Sequence, residues 1–108
     1  MENKKYDGTE RREALRVSYE PDKRPILTSG EHEFEIADVS EMGLRFFNEK
    51  KINLGNWVKG TVTLLCGESI DVYGMVVRVK GIDIYMNVNN PIQKEVLIKE
   101  QHISNNCD

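Results

Sequence analysis

This chain's fold is most constrained by a succession of short stretches in which apolar residues recur at every second position, cut by turn residues, and then by a late change of period. Alternation of this kind buries one side of an extended segment and leaves the other to water. Leu15, Val17 and Tyr19 alternate with Arg16, Ser18 and Glu20, and Pro21-Asp22-Lys23 forms a turn signal. Ile26-Leu27 opens a second run, interrupted at Ser29-Gly30, and Phe34 and Ile36 share one face of Glu33 to Ala37. Leu44 to Phe47 is a short strand, and Asn48 to Gly55 is a polar connection. In Trp57 to Cys66, residues Val58, Val62 and Leu64 share a parity, and Gly67-Glu68 turns the chain. Ile70 to Val79 is rich in β-branched residues, and the Gly74 inside it reads as a bulge or a bend at a barrel corner. After Lys80-Gly81, residues Ile82, Ile84, Met86 and Val88 alternate with Asp83, Tyr85 and Asn87.

The period then changes. Asn90 is suited to cap a helix, Pro91 to its first position, and Gln93 to complete a capping box. A helix is expected from about Pro91 to Ile103, with Ile92, Val96 and Ile103 on one stripe and Leu97 beside it. Many short strands followed by one helix indicate a mainly β fold, a small antiparallel barrel. A length of 108 residues fits one domain. Its expected parts are a polar segment over 1–8, the barrel with its helix over 9–103, and a frayed tail over 104–108.

The remaining composition narrows the function classes. No apolar run approaches the length of about 20 residues that a membrane span needs, and Met1 to Lys5 is polar with no apolar stretch behind it, so a cytoplasmic location without membrane insertion is expected. Cys66 ends an apolar run and is expected as a small core residue, while Cys107 lies in a polar tail. Two cysteines without close spacing make neither a zinc site nor a redox motif. His32 and His102 lie far apart in sequence, each without a nearby ligand pattern, and read as surface residues, so no metal is expected. No nucleophile triad and no phosphate-binding glycine loop is present, which argues against an enzyme. A net charge of -3 argues against a nucleic-acid partner, which a basic face would announce.

Against that acidic background, Arg11, Arg12 and Arg16 concentrate positive charge within six residues. Guanidinium is planar, always protonated, and donates in a fork that matches phosphate oxygens or the O6/N7 edge of guanine. In an extended segment Arg12 and Arg16 project to the same side, separated by about 13 Å. Taken alone, such a segment is a solvated stretch neutralised by Glu10, Glu13 and Glu20. A second cluster follows, Asp38-Val39-Ser40-Glu41-Met42-Gly43, which by itself is an ordinary turn composition. Its carboxylate can accept from guanine N1–H and N2–H. In this reading the turn presents Asp38 and Ser40, and Gly43 lets the backbone bend. Arg78 is read as pairing with Asp71 or Asp83, Trp57 as core or barrel-rim packing, and Tyr73 and Tyr85 as outer-face residues.

Arg12-Glu13-Ala14-Leu15-Arg16 fits Arg-x-x-x-Arg, and Asp38 to Gly43 fits (Asp/Asn)-x-Ser-x-x-Gly. Two such motifs in this order resemble the PilZ domain, from about Thr9 to the C-terminal helix. The resemblance implies a six-stranded antiparallel β-barrel with a C-terminal α-helix. It also implies a bacterial receptor with no cofactor whose ligand is cyclic di-GMP, held by Arg11, Arg12, Arg16, Asp38, Ser40 and Gly43. An arginine at position 11, just before the first motif, is similar to the class that holds two intercalated ligand molecules. Phosphates would then draw the arginine segment onto the barrel as a switch, and occupancy would be relayed to a downstream protein by a monomer or a homodimer. The alternative is a ligand-independent adaptor with the same barrel, against which the retained arginines count.

Overall fold

The computed structural model describes residues 15–105. Its elements are β1 (Arg16–Ser18), β2 (Ile26–Ser29), β3 (His32–Ser40), β4 (Gly43–Phe47), β5 (Trp57–Thr63), β6 (Ser69–Lys80), β7 (Asp83–Val88) and α1 (Lys94–Asn105). The order β3-β2-β5-β6-β7-β4 closes on itself because β4 also pairs with β3, and β1 is added along the end of β3. The fold is therefore mainly β: a closed six-stranded antiparallel barrel with one extra strand and one C-terminal helix. Closure leaves the six barrel strands without open edges. Among the described residues, no helix is long and apolar enough to cross a membrane.

The alternating residues fill the barrel. Leu27, Ile36 and Phe46 are fully buried, and the rings of Phe34 and Phe46 meet with centroids 5.1 Å apart. Each such side chain contributes about 1.5–3 kcal/mol by leaving water. Val58, Val62 and Leu64 on one side, and Ile84, Met86 and Val88 on the other, line the same core. Cys66 is half-buried against it, and that burial pushes its thiol pKa up. Cys107 lies outside the described residues. Gly74 does not mark a bulge: it sits in regular pairing with Val58 and Val88, and a Cβ there would lie 2.0 Å from the Asn87 carbonyl oxygen. It is required by the close approach of β7.

Two bulges lie elsewhere. Ile36 pairs with Phe46 but Asp38 with Arg45, so Ala37 is an extra residue in β3. Likewise Val76 pairs with Met86 but Arg78 with Tyr85, so Val77 is extra in β6. An extra residue reverses the parity of everything after it. Phe34 and Ile36 face the core, and without the bulge Asp38 and Ser40 would follow them in; with it, Val39 takes the core and the two polar residues turn outward. The second bulge turns Arg78 outward in the same way.

The helix begins three residues later than its capping signals suggest. The carbonyl of Gln93 accepts from Val96 and Leu97, so Gln93 and not Asn90 precedes the first turn. Ahead of it the chain stays extended, because the Ile92 N–H donates to the Glu41 carbonyl at 2.8 Å and the Ile92 side chain joins the core. The Val88 N–H likewise donates to the Met42 carbonyl at 2.9 Å. The buried helix face is Leu97 and Glu100, whereas Ile103 is exposed. Glu100 is inaccessible to solvent and accepts from Tyr19 Oη at 2.7 Å and from the backbone N–H groups of Leu65 and Cys66 at 2.8 and 2.9 Å. Near the last turn, Ser104 Oγ donates to the Ser18 carbonyl.

Candidate functional site

The two motifs meet where β1 pairs with β3. Arg16 lies opposite Ser40, and Ser18 opposite Asp38. Asp38 and Ser40 are strand residues, not turn residues as the sequence suggested; only Glu41-Met42 form the turn, because the ladder to β1 and β4 continues through the motif. Ser40 Oγ donates across that turn to the Gly43 carbonyl at 3.3 Å. Gly43 has no left-handed backbone and does not serve to bend the chain. It is a β4 residue opposite Asn87, where a Cβ would lie 2.8 Å from the Met86 carbonyl oxygen. Its missing side chain lets β4 and β7 close together beside the motif.

Arg16 Nη1 donates to Asp38 Oδ1 at 2.6 Å, joining residues 22 positions apart. A second cation lies on the other side of the carboxylate: Arg45 Nε donates to Asp38 Oδ2 at 3.0 Å, and Arg45 Nη1 reaches Asp83 Oδ2 at 3.4 Å. Asp38 is only 5% exposed although it points away from the core, because the two guanidinium groups lie against it. Burial works to lower the pKa of Arg45, but the hydrogen bond and charge of Asp38, aided by Tyr85, outweigh it and the net direction is upward.

The cross-strand register extends the site. Asp38, Arg45, Tyr85 and Arg78 form one outward row across β3, β4, β7 and β6. The Arg78 guanidinium lies 5.4 Å from the Tyr85 ring centroid. The expected partners of Arg78 are engaged otherwise: Asp71 accepts from Thr61 Oγ1 and Asp83 faces Arg45. Trp57 is not core packing. It is 48% exposed and stacked on Tyr73, with centroids 5.1 Å apart. His32 and His102 are both at the surface.

Of the residues the sequence singled out, the structure thus brings Arg16, Asp38, Ser40 and Gly43 together. Arg11 and Arg12 lie outside the described residues. Arg45 and Asp83 were not picked out from sequence as site residues. The signal for Arg45 was its place between Leu44 and Phe46, both core residues, which forces it outward two positions after Gly43.

The outer face of the small closed barrel thus carries a guanidinium–carboxylate cluster built from β1, β3, β4 and β7. Residues 10–103 match the PilZ domain, and the chain belongs to that family. Comparison with curated proteins and with solved structures gave no match.

Proposed function

We propose that the protein is a receptor for cyclic di-GMP that relays occupancy to a protein partner. Arg16, Asp38, Ser40 and Gly43 would form the site together with Arg11 and Arg12. The observation that carries this reading is the Arg16–Asp38 pair, 2.6 Å apart, in which the guanidinium that would take a phosphate is mostly exposed and lies against the carboxylate that would take guanine. The Arg16 side chain is 58% exposed and can exchange the carboxylate for a phosphate without leaving the surface. Membership of the PilZ family supports the choice of ligand.

Isothermal titration tests the reading. Cyclic di-GMP binds, while GMP and the linear dinucleotide bind much more weakly. Truncating one partner of a largely desolvated charge pair costs about 2–5 kcal/mol, so Arg12→Ala and Arg16→Ala each lower affinity about 30-fold or more. Two stacked ligands bring four phosphates together, and Arg11, Arg12 and Arg16 supply the cations such a pair needs. The expected stoichiometry is therefore two per chain, falling toward one in Arg11→Leu, with an effect that weakens in salt. Absence of heat from folded protein at saturating ligand would overturn the receptor reading. A stoichiometry of one that Arg11→Leu leaves unchanged would overturn the second molecule alone.

A further inference from the structure

The two cations that the described residues place on Asp38 are held very differently. Arg16 stands on a three-residue strand that, among the described residues, pairs only with β3, and its side chain is mostly exposed. Arg45 is set within the closed barrel between β3 and β7, and its side chain is 31% exposed. Asp83 takes its Nη1, and the rings of Tyr85 and Phe47 lie 5.8 and 5.9 Å from its guanidinium carbon. One guanidinium is mostly exposed to any new anion; the other is contacted on three sides.

A phosphate that recruits Arg16 removes one of the two charges neutralising Asp38. A carboxylate as buried as this one is strongly disfavoured without a cation. A carboxylate has about four lone-pair directions, and the Nε bond of Arg45 uses one of those on Oδ2. It therefore holds one oxygen of the group and leaves both oxygens able to accept again.

We propose that Arg45 is a positioning residue for guanine recognition: it stays on Asp38 while Arg16 transfers to the ligand phosphate, and so keeps the carboxylate in place for guanine N1–H and N2–H. This rests on the receptor reading above. It makes Arg45 a determinant of base selectivity that acts through Asp38, without touching the ligand.

The test compares cyclic di-GMP with cyclic di-IMP, whose hypoxanthine bases lack the N2 amine, in the unmodified protein, Arg45→Met, Arg45→Lys, Asp38→Asn and the Asp38→Asn/Arg45→Met double variant. In Arg45→Met, affinity for cyclic di-GMP falls on the order of tenfold, about one charge-assisted hydrogen bond, and the preference over cyclic di-IMP collapses toward one. Arg45→Lys keeps the charge but loses the planar fork, and recovers part of the preference. In the Asp38→Asn background, Arg45→Met causes no further loss. An unchanged preference in Arg45→Met, or a loss that adds in full to that of Asp38→Asn, overturns the proposal. Should Arg45→Met not fold, an unchanged preference in Arg45→Lys overturns it equally. Failure of the unmodified protein to take up either ligand overturns the receptor reading as well, whereas uptake with an unaltered preference in the variants overturns this proposal alone.

Discussion

Asp38 and Glu100 are both buried carboxylates, yet they are satisfied by opposite means. Asp38 is flanked by two guanidinium groups, one of them mostly exposed. Glu100 has a phenol and two main-chain amides as its donors, contributed by residues in the β1 and β5–β6 regions. Side-chain cations can be exchanged for a competing anion; backbone amides inside a fold cannot. The first arrangement is suited to binding, and the second fastens the helix to the barrel. Burial alone does not tell the two apart; the mobility of the partners does.

The sharpest way to break this comparison is to remove each carboxylate. Glu100→Ala strands two amides and a phenol, at about 1–3 kcal/mol for each donor that water cannot reach. Denaturant unfolding should show a loss of about 3 kcal/mol or more, while the folded protein retains its affinity for cyclic di-GMP within about twofold. Asp38→Ala should do the reverse: affinity falls about 30-fold, and stability changes by about 1 kcal/mol, since both arginines can regain water. Equal stability losses in the two variants would erase the distinction. Gly43→Ala comes next. Its Cβ must displace the β7 backbone at Met86, and overpacking of this kind costs about 1–3 kcal/mol, measurable as a lowered Tm.

The smallest effect concerns Tyr19. Its pKa lies above the ordinary 10.0 because burial, and then the hydrogen bond and charge of Glu100, oppose the phenolate. The folded state therefore keeps its proton when the unfolded state has lost it, so stability declines as pH rises past about 10. Tyr19→Phe should lose about 1 kcal/mol at neutral pH through the missing hydrogen bond. Unfolding measured between pH 9 and 11 should also show a shallower alkaline decline. A decline as steep as in the unmodified protein would mean that Tyr19 is not the group responsible.

The sequence disclosed those parts in which one physical signal acts alone. β7 and β5 alternate without interruption, and their core residues were read correctly from parity. The two motifs were legible from residue type and spacing, and the structure joins the described part of the first to the second. Parity could not find Ala37 or Val77, because a period of two holds only while the register is unbroken. Continued from Phe34 and Ile36, it would have placed Asp38 inside the barrel. The helix start was misread because Pro91 and Gln93 are good local signals, but the bond from Ile92 to Glu41 and the burial of Ile92 hold the chain extended. Trp57 has the bulk of a core residue, yet its pairing with Met75 puts it on the outer face. The burial of Glu100 had no sequence signal, since its partners are 81, 35 and 34 residues away.

The bonds from Val88 and Ile92 to the motif turn have a consequence for how this domain tolerates sequence change. Both acceptors, on Glu41 and Met42, are main-chain carbonyls, and both donors are main-chain amides. The hydrogen bonds between the motif turn and the segment entering the helix are therefore written in no side chain. Glu41 and Met42, both exposed, can vary in chemistry and the connection persists, whereas the donors Val88 and Ile92 must stay apolar for the core and cannot become proline, which has no N–H. A screen of substitutions would pass over Glu41 and Met42 as unimportant to the link, although the main chain there is what joins the turn to the segment before the helix.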